Sequence, residues 1–134
     1  MVQYQCVVPE RRDGGIFRRL LEVVSRMGGA SPVSVIKDCG AEGRGTLSFP
    51  LPGMSLALDL PYRARHTQAL VDALNELVIE AGGRIYLTKD ALTRRDHFAA
   101  MEPRLARWNE VRRKWDPERT LASALAQRLL DPAP

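Results

Sequence analysis

The chain has 134 residues, 45% of them hydrophobic and 27% charged, which is one domain's worth of soluble globular sequence and too little for a complete two-domain cofactor enzyme. Twenty basic against 16 acidic residues leave a charge of +4, which permits an anionic partner without announcing one. The apolar runs fall far below the ~18 residues of a membrane span, no signal-peptide pattern opens the sequence, and two distant cysteines, Cys6 and Cys39, form neither a disulfide framework nor a zinc set, which fits a reducing, cytoplasmic compartment.

In chain order, the β-formers of Val2–Val8 read as a strand stopped by Pro9. Glu10–Gly15 reads as a charged loop. Ile16, Phe17, Leu20, Leu21, Val24 and Met27 recur at helical spacing up to Gly28-Gly29. Pro32–Ile36 predicts a second strand, Cys39–Thr46 a glycine-rich loop or hairpin arm, and Ser55–Leu60 a third strand ended by Pro61. His66–Ala81 carries Leu70, Leu74, Leu77 and Val78 on one helical face and stops at Gly82-Gly83. Arg84–Thr88 reads as a fourth strand. Helical segments then follow over Thr93–Met101, after Pro103 with a stripe of Leu105, Trp108, Val111 and Trp115, and over Leu121, Leu125 and Leu129. The tail from Asp131 to Pro134 reads as frayed.

The order β-α-β-β-α-β predicts an α+β fold of ferredoxin-like type, an antiparallel sheet with two helices on one face, followed by C-terminal helices. Strand residues alternate faces. Val2, Tyr4, Cys6, Val8, Leu56, Leu58, Leu60 and Ile85 therefore share an apolar face. Gln3, Gln5, Ser55, Asp59 and Tyr86 fall on the other, with Ala57 among them. That second face is either an ordinary solvated face or a ligand-facing one. Val33 and Val35 lie opposite Ile36, which hints that something covers the second face.

Other candidates are weaker. His66 and His97 have no partner at metal spacing and read as surface histidines, so no metal site is expected. Gly43, Arg44 and Gly45 could cradle an anion or simply form a loop. Arg104, Arg107, Arg112, Arg113, Lys114 and Arg119 flank Trp108 and Trp115, but acidic residues dilute them and Ser55–Leu60 carries no aromatic for stacking bases, so no nucleic-acid partner is expected. Lys89, at the end of the fourth strand, aims a cation at whatever the sheet edge faces.

The blocks Val2–Pro9 (VQYQCVVP), Ser34–Gly40 (SVIKDCG), Leu47–Pro61 (LSFPLPGMSLALDLP) and above all Gly82–Asp90 (GGRIYLTKD) with the helical run after it resemble the C-terminal end of the FAD-linked oxidases of the vanillyl-alcohol-oxidase superfamily. Within it they are most similar to the decaprenylphosphoryl-β-D-ribose oxidase-like proteins. The resemblance implies that residues 1–88 correspond to the last part of a substrate-binding cap domain and residues 89–134 to a helical tail that returns to the flavin domain. It implies substrate-pocket roles for Gln3, Gln5, Lys37, Ser55, Ala57 and Asp59, flavin contacts for Tyr86 and Lys89, and a catalytic role for Lys89. The expected cofactor is FAD, held mainly by an N-terminal domain these residues do not supply, and the expected substrate is a sugar-type alcohol. The expected partner is a flavin domain or a second copy of the chain. The alternative is a non-catalytic binding or assembly module.

Overall fold

The computed structural model describes residues 1–9, 15–29 and 31–130. The expected loop at 10–15 lies almost wholly outside these residues, as does the expected fraying after 130.

Four strands, β1 (Val2–Pro9), β2 (Ser34–Cys39), β3 (Gly53–Leu60) and β4 (Arg84–Ile85), form one sheet in the order β2-β3-β1-β4 with every neighbouring pair antiparallel. Helices α1 (Gly15–Arg26) and α2 (Arg65–Ala81) connect them in the ferredoxin-like manner. The apolar face behaves as the alternation requires. Tyr4, Cys6, Val8, Leu56, Leu58, Leu60 and Ile85 are buried against Phe17, Leu20 and Val24 of α1 and Leu70, Leu74 and Val78 of α2.

The end of α2 is set by two glycines. Gly82 adopts the left-handed conformation (φ 70°), its N–H bonds Ile79 O (3.0 Å) and the N–H of Gly83 bonds Val78 O (2.8 Å). A Cβ on Gly83 would stand 2.4 Å from Val7 O, so the chain can enter β4 here only without a side chain.

Four elements depart from the sequence expectations. The second strand runs over Ser34–Cys39 rather than Pro32–Ile36, which brings Lys37 into it. The fourth strand is only Arg84–Ile85. Tyr86 still donates its N–H to Gln5 O (2.8 Å), but Lys89 N–H then turns back to Tyr86 O (2.9 Å), and Leu87–Lys89 form a 3-10 turn. The cause is tertiary. Asp90, next in sequence, accepts the N–H groups of Leu92 and Thr93 and pairs with Arg128 at 2.8 Å, pulling the chain off the sheet. Helices α3 (Arg95–Met101) and α4 (Leu105–Trp115) follow, but α4 buries none of its residues, and its expected apolar stripe leaves Trp115 77% exposed. The expected last helix is a short wide turn over Ala126–Leu130, docked through Leu129 and held by Arg95, which donates to the carbonyls of Gln127 (2.6 Å) and Arg128 (3.2 Å).

Candidate functional site

The register assembles the second face of the sheet. Gln3 stands opposite Asp59, and Ala57 stands between Gln5 on one side and Val35 on the other. Lys37 stands opposite Ser55. Gln3 Nε2 donates to Asp59 Oδ1 (3.0 Å) and Gln5 Nε2 to Ser55 Oγ (2.9 Å). This is not a solvated face at its centre, because Gln5, Ser55 and Ala57 are buried. Buried polar side chains are kept only when bonded, and the Gln5–Ser55 bond meets that condition. Gln3 and Lys37 are exposed, whereas Asp59, Tyr86 and Lys89 are half-buried.

The segment 40–52, between β2 and β3, folds back as a strap against this face at its β4 end. Phe49 packs on the Tyr86 ring with centroids 4.7 Å apart. The Arg84 guanidinium reaches Glu42 (2.7 Å) and Ser48 O (2.9 Å), and Arg104 reaches the same two groups at 2.6 and 2.8 Å. Arg104 also forms a fork-to-fork pair with the buried Glu102, both bonds 2.7 Å. The Arg84 hydrogen bond and charge hold the Glu42 carboxyl below its ordinary value.

Lys89 lines a shallow concavity with Gln3, Thr88 and Asp90 beside the start of β1. Its backbone is fixed on both sides by Tyr86 O and by the Asp90–Arg128 clamp, while its ammonium pairs with no described residue. Lys37 lies two strands away on β2 and does not line this concavity. The structure thus brings together Gln3 with Asp59 and Lys89, and Gln5 with Ser55, Ala57 and Tyr86. It leaves Lys37 at the sheet edge.

The histidine reading is half corrected. His66 is exposed, with Nε2 2.7 Å from Met27 O. His97 is buried, 6% exposed, because it sits on the inner face of α3. Arg94 donates to its Nε2 (2.6 Å), so that nitrogen is an acceptor and the proton of the neutral ring is on Nδ1, 3.7 Å from Asp72 Oδ1. No group of three or more ligating side chains occurs among the described residues, and no described helix is long and apolar enough to cross a membrane. Sequence reasoning missed the strap's ion-pair network and the Asp90–Arg128 clamp. An Asp three residues before Thr93 at a helix entrance was the available signal for the clamp.

No family model matches the chain. Over 128 residues, 96% of its length, it is 38% identical to decaprenylphosphoryl-β-D-ribose oxidase of Mycolicibacterium smegmatis, covering 27% of that protein at its C-terminal part. It is also 38% identical over 128 residues to an uncharacterized protein in the mprA 5′ region of Streptomyces coelicolor, covering 35% of it. The chain spans about a quarter to a third of the length of these curated relatives. The resemblance read from the Val2–Pro9 and Gly82–Asp90 blocks is therefore found again by comparison of whole sequences.

Proposed function

Taking that likeness as premise, we propose that the chain is the C-terminal segment of an FAD-dependent oxidoreductase acting on a sugar-type alcohol. Residues 1–88 close over the substrate and residues 89–134 pack against a flavin-binding part supplied from outside these residues. The observation that carries the reading is the second sheet face. Its bonded polar side chains and the cation of Lys89, unpaired among the described residues, adjoin one another beside β1 and β4.

The residues present fit one edge of a flavin and not the whole of it. Tyr86 and Lys89 would hold the ring, whereas none of the described loops is a glycine-rich phosphate cradle of the dinucleotide-binding kind. When bound, the flavin would accept hydride from the alcohol carbon. The chain's own residues do the rest of what is assigned here. Gln3, its amide nitrogen committed to Asp59, leaves its carbonyl oxygen to accept a substrate hydroxyl. Lys89 offers a fixed positive charge where negative charge develops, and water exclusion strengthens it. Lys37, at the rim, offers a second cation to a polar substrate group. None of these residues is assigned as general base.

Spectroscopic titration with FAD tests the division of labour. The isolated chain is expected to bind FAD weakly or not at all and to purify without flavin absorbance bands. Tight stoichiometric binding by the chain alone would overturn it.

The exposed β2 edge favours a second reading, a binding or assembly module that self-associates. All of Ser34–Asp38 is exposed, with Val33, Val35 and Ile36 at 54%, 42% and 50% on both faces of an edge strand. Light scattering decides it, since a strict monomer across concentration removes self-association.

A further inference from the structure

The Tyr86 ring is held mainly from one side. Its backbone N–H is tied to Gln5 O (2.8 Å) at the point where the chain leaves the sheet. Its hydroxyl bonds no described residue, and its aromatic partner is Phe49, with centroids 4.7 Å apart and ring planes tilted by 33°. An offset, tilted pair at this spacing favours one relative orientation of the two rings. Whatever fixes Phe49 therefore biases the pose of Tyr86.

Phe49 is carried by the strap, and the strap is pinned just ahead of it. The carbonyl of Ser48, the preceding residue, accepts from Arg84 (2.9 Å) and Arg104 (2.8 Å), and the Glu42 carboxylate accepts from the same two guanidinium groups at 2.7 and 2.6 Å. Ser48 N–H closes back on Gly45 O (3.0 Å), which also accepts from Arg104 (3.3 Å). A lone exposed ion pair contributes little. Here both cations are oriented beforehand. The Arg84 side chain, rising from β4, is only 12% exposed, and Arg104 is forked onto the buried Glu102. Less side-chain freedom is lost when Glu42 joins them. The strap is thus pinned between the sheet and the segment joining α3 to α4.

We infer that Phe49 is a positioning residue: the strap, pinned through Glu42 and Ser48, holds its ring against Tyr86 and so sets the pose of the side chain that meets the flavin. The last step rests on the flavin contact proposed above for Tyr86, whereas the link from strap to ring does not.

Fluorine NMR of the full chain labelled with fluorotyrosine reads that link without flavin. The tyrosines are Tyr4, buried in the core, Tyr62, 59% exposed, and Tyr86, so the Tyr4 line reports on the fold and the Tyr62 line marks a largely solvated ring. Phe49→Leu removes the stacked ring and is expected to displace the Tyr86 line while the Tyr4 line stays in place. Glu42→Ala, at an exposed position, touches neither ring. It is expected to displace the Tyr86 line in the same direction as Phe49→Leu. A Tyr86 line that either variant leaves unmoved overturns the link. The second arm joins the chain to the upstream part of the Mycolicibacterium smegmatis relative. There Phe49→Leu is expected to hold flavin and to be reduced by a sugar-type alcohol about tenfold or more slowly, the cost of a misplaced contact. Phe49→Tyr, which restores a stacked ring, is expected to restore the rate. Reduction of the Phe49→Leu protein at the parent's rate, or no rescue by Phe49→Tyr, overturns the positioning role. A joined parent that holds no flavin counts against the flavin reading, and the fluorine lines still decide the link.

Discussion

Cys6 and Cys39 sit two strands apart in the sheet and differ sharply in chemistry. Cys6 is fully buried beside Tyr4, and burial pushes its thiol from 9.0 up to about 12. Cys39, at the end of β2, is half-exposed. At about pH 8 a chromogenic disulfide reagent is therefore expected to modify one thiol quickly, and Cys39→Ser should abolish that fast phase. Fast modification of two thiols in the folded chain would contradict the burial of Cys6. Tyr4 makes a second test. Its hydroxyl donates to Asn75 Oδ1 (3.1 Å), and Asn75 Nδ2 donates to Thr93 Oγ1 (3.0 Å), all buried. Asn75→Ala strands both partners and is expected to cost about 1–3 kcal/mol in urea unfolding. At this scale the sequence was readable where period-2 alternation held. Gln3, Gln5, Ser55, Ala57 and Asp59 fall on one face because strand geometry leaves them no choice. His97 was not readable, because its burial depends on which side of a seven-residue helix meets α2, and so short a helix shows little periodicity.

Among the elements, the strap 40–52 is attached through an ion-pair network. Glu42 joins Arg84 and Arg104, and its carboxyl is held below the ordinary 4.5, first by the Arg84 hydrogen bond. A depressed carboxylate contributes stability above its unfolded value and loses it as pH falls through the folded one. Hydrogen exchange of residues 46–51 is therefore expected to accelerate below about pH 4.5 in the parent, beyond its intrinsic pH trend. Glu42→Gln, lacking the charge, should show fast exchange at neutral pH and no further acid step. An unchanged exchange profile in that variant would show that Phe49 and Leu51 hold the strap without the ion pairs. The elements the sequence misjudged share one cause. The Arg84–Thr88 strand is cut short, and the last helix reduced to one turn, by contacts of Asp90 and Arg95 with Gln127 and Arg128 that are 32 to 38 positions apart in sequence. Local propensity carries no trace of such contacts. Helix α4 fails differently. Its stripe is readable, but only its first member, Leu105, packs against the core among the described residues, while Val111 and Trp115 stay exposed.

For the whole molecule, the core beneath α1 and α2 carries stability independently of the site. Leu74→Ala, at a fully buried position, is expected to lose about 2–5 kcal/mol. Stability should also fall in alkali. Cys6 and Tyr4 are both raised by burial, so the unfolded chain releases their protons first. The stability they contribute is complete below 9.0 and declines as pH rises toward about 12. None of this touches the central claim, that the second sheet face and Lys89 complete a flavin site they do not contain. The direct measurement joins this chain to the upstream part of the Mycolicibacterium smegmatis relative, in place of the matched segment, and follows anaerobic bleaching of the flavin by a sugar-type alcohol. The joined protein is expected to hold flavin and bleach. Lys89→Met should hold the same flavin and bleach about 10²–10³-fold more slowly. Bleaching by the Lys89→Met protein at the parent's rate would contradict the account.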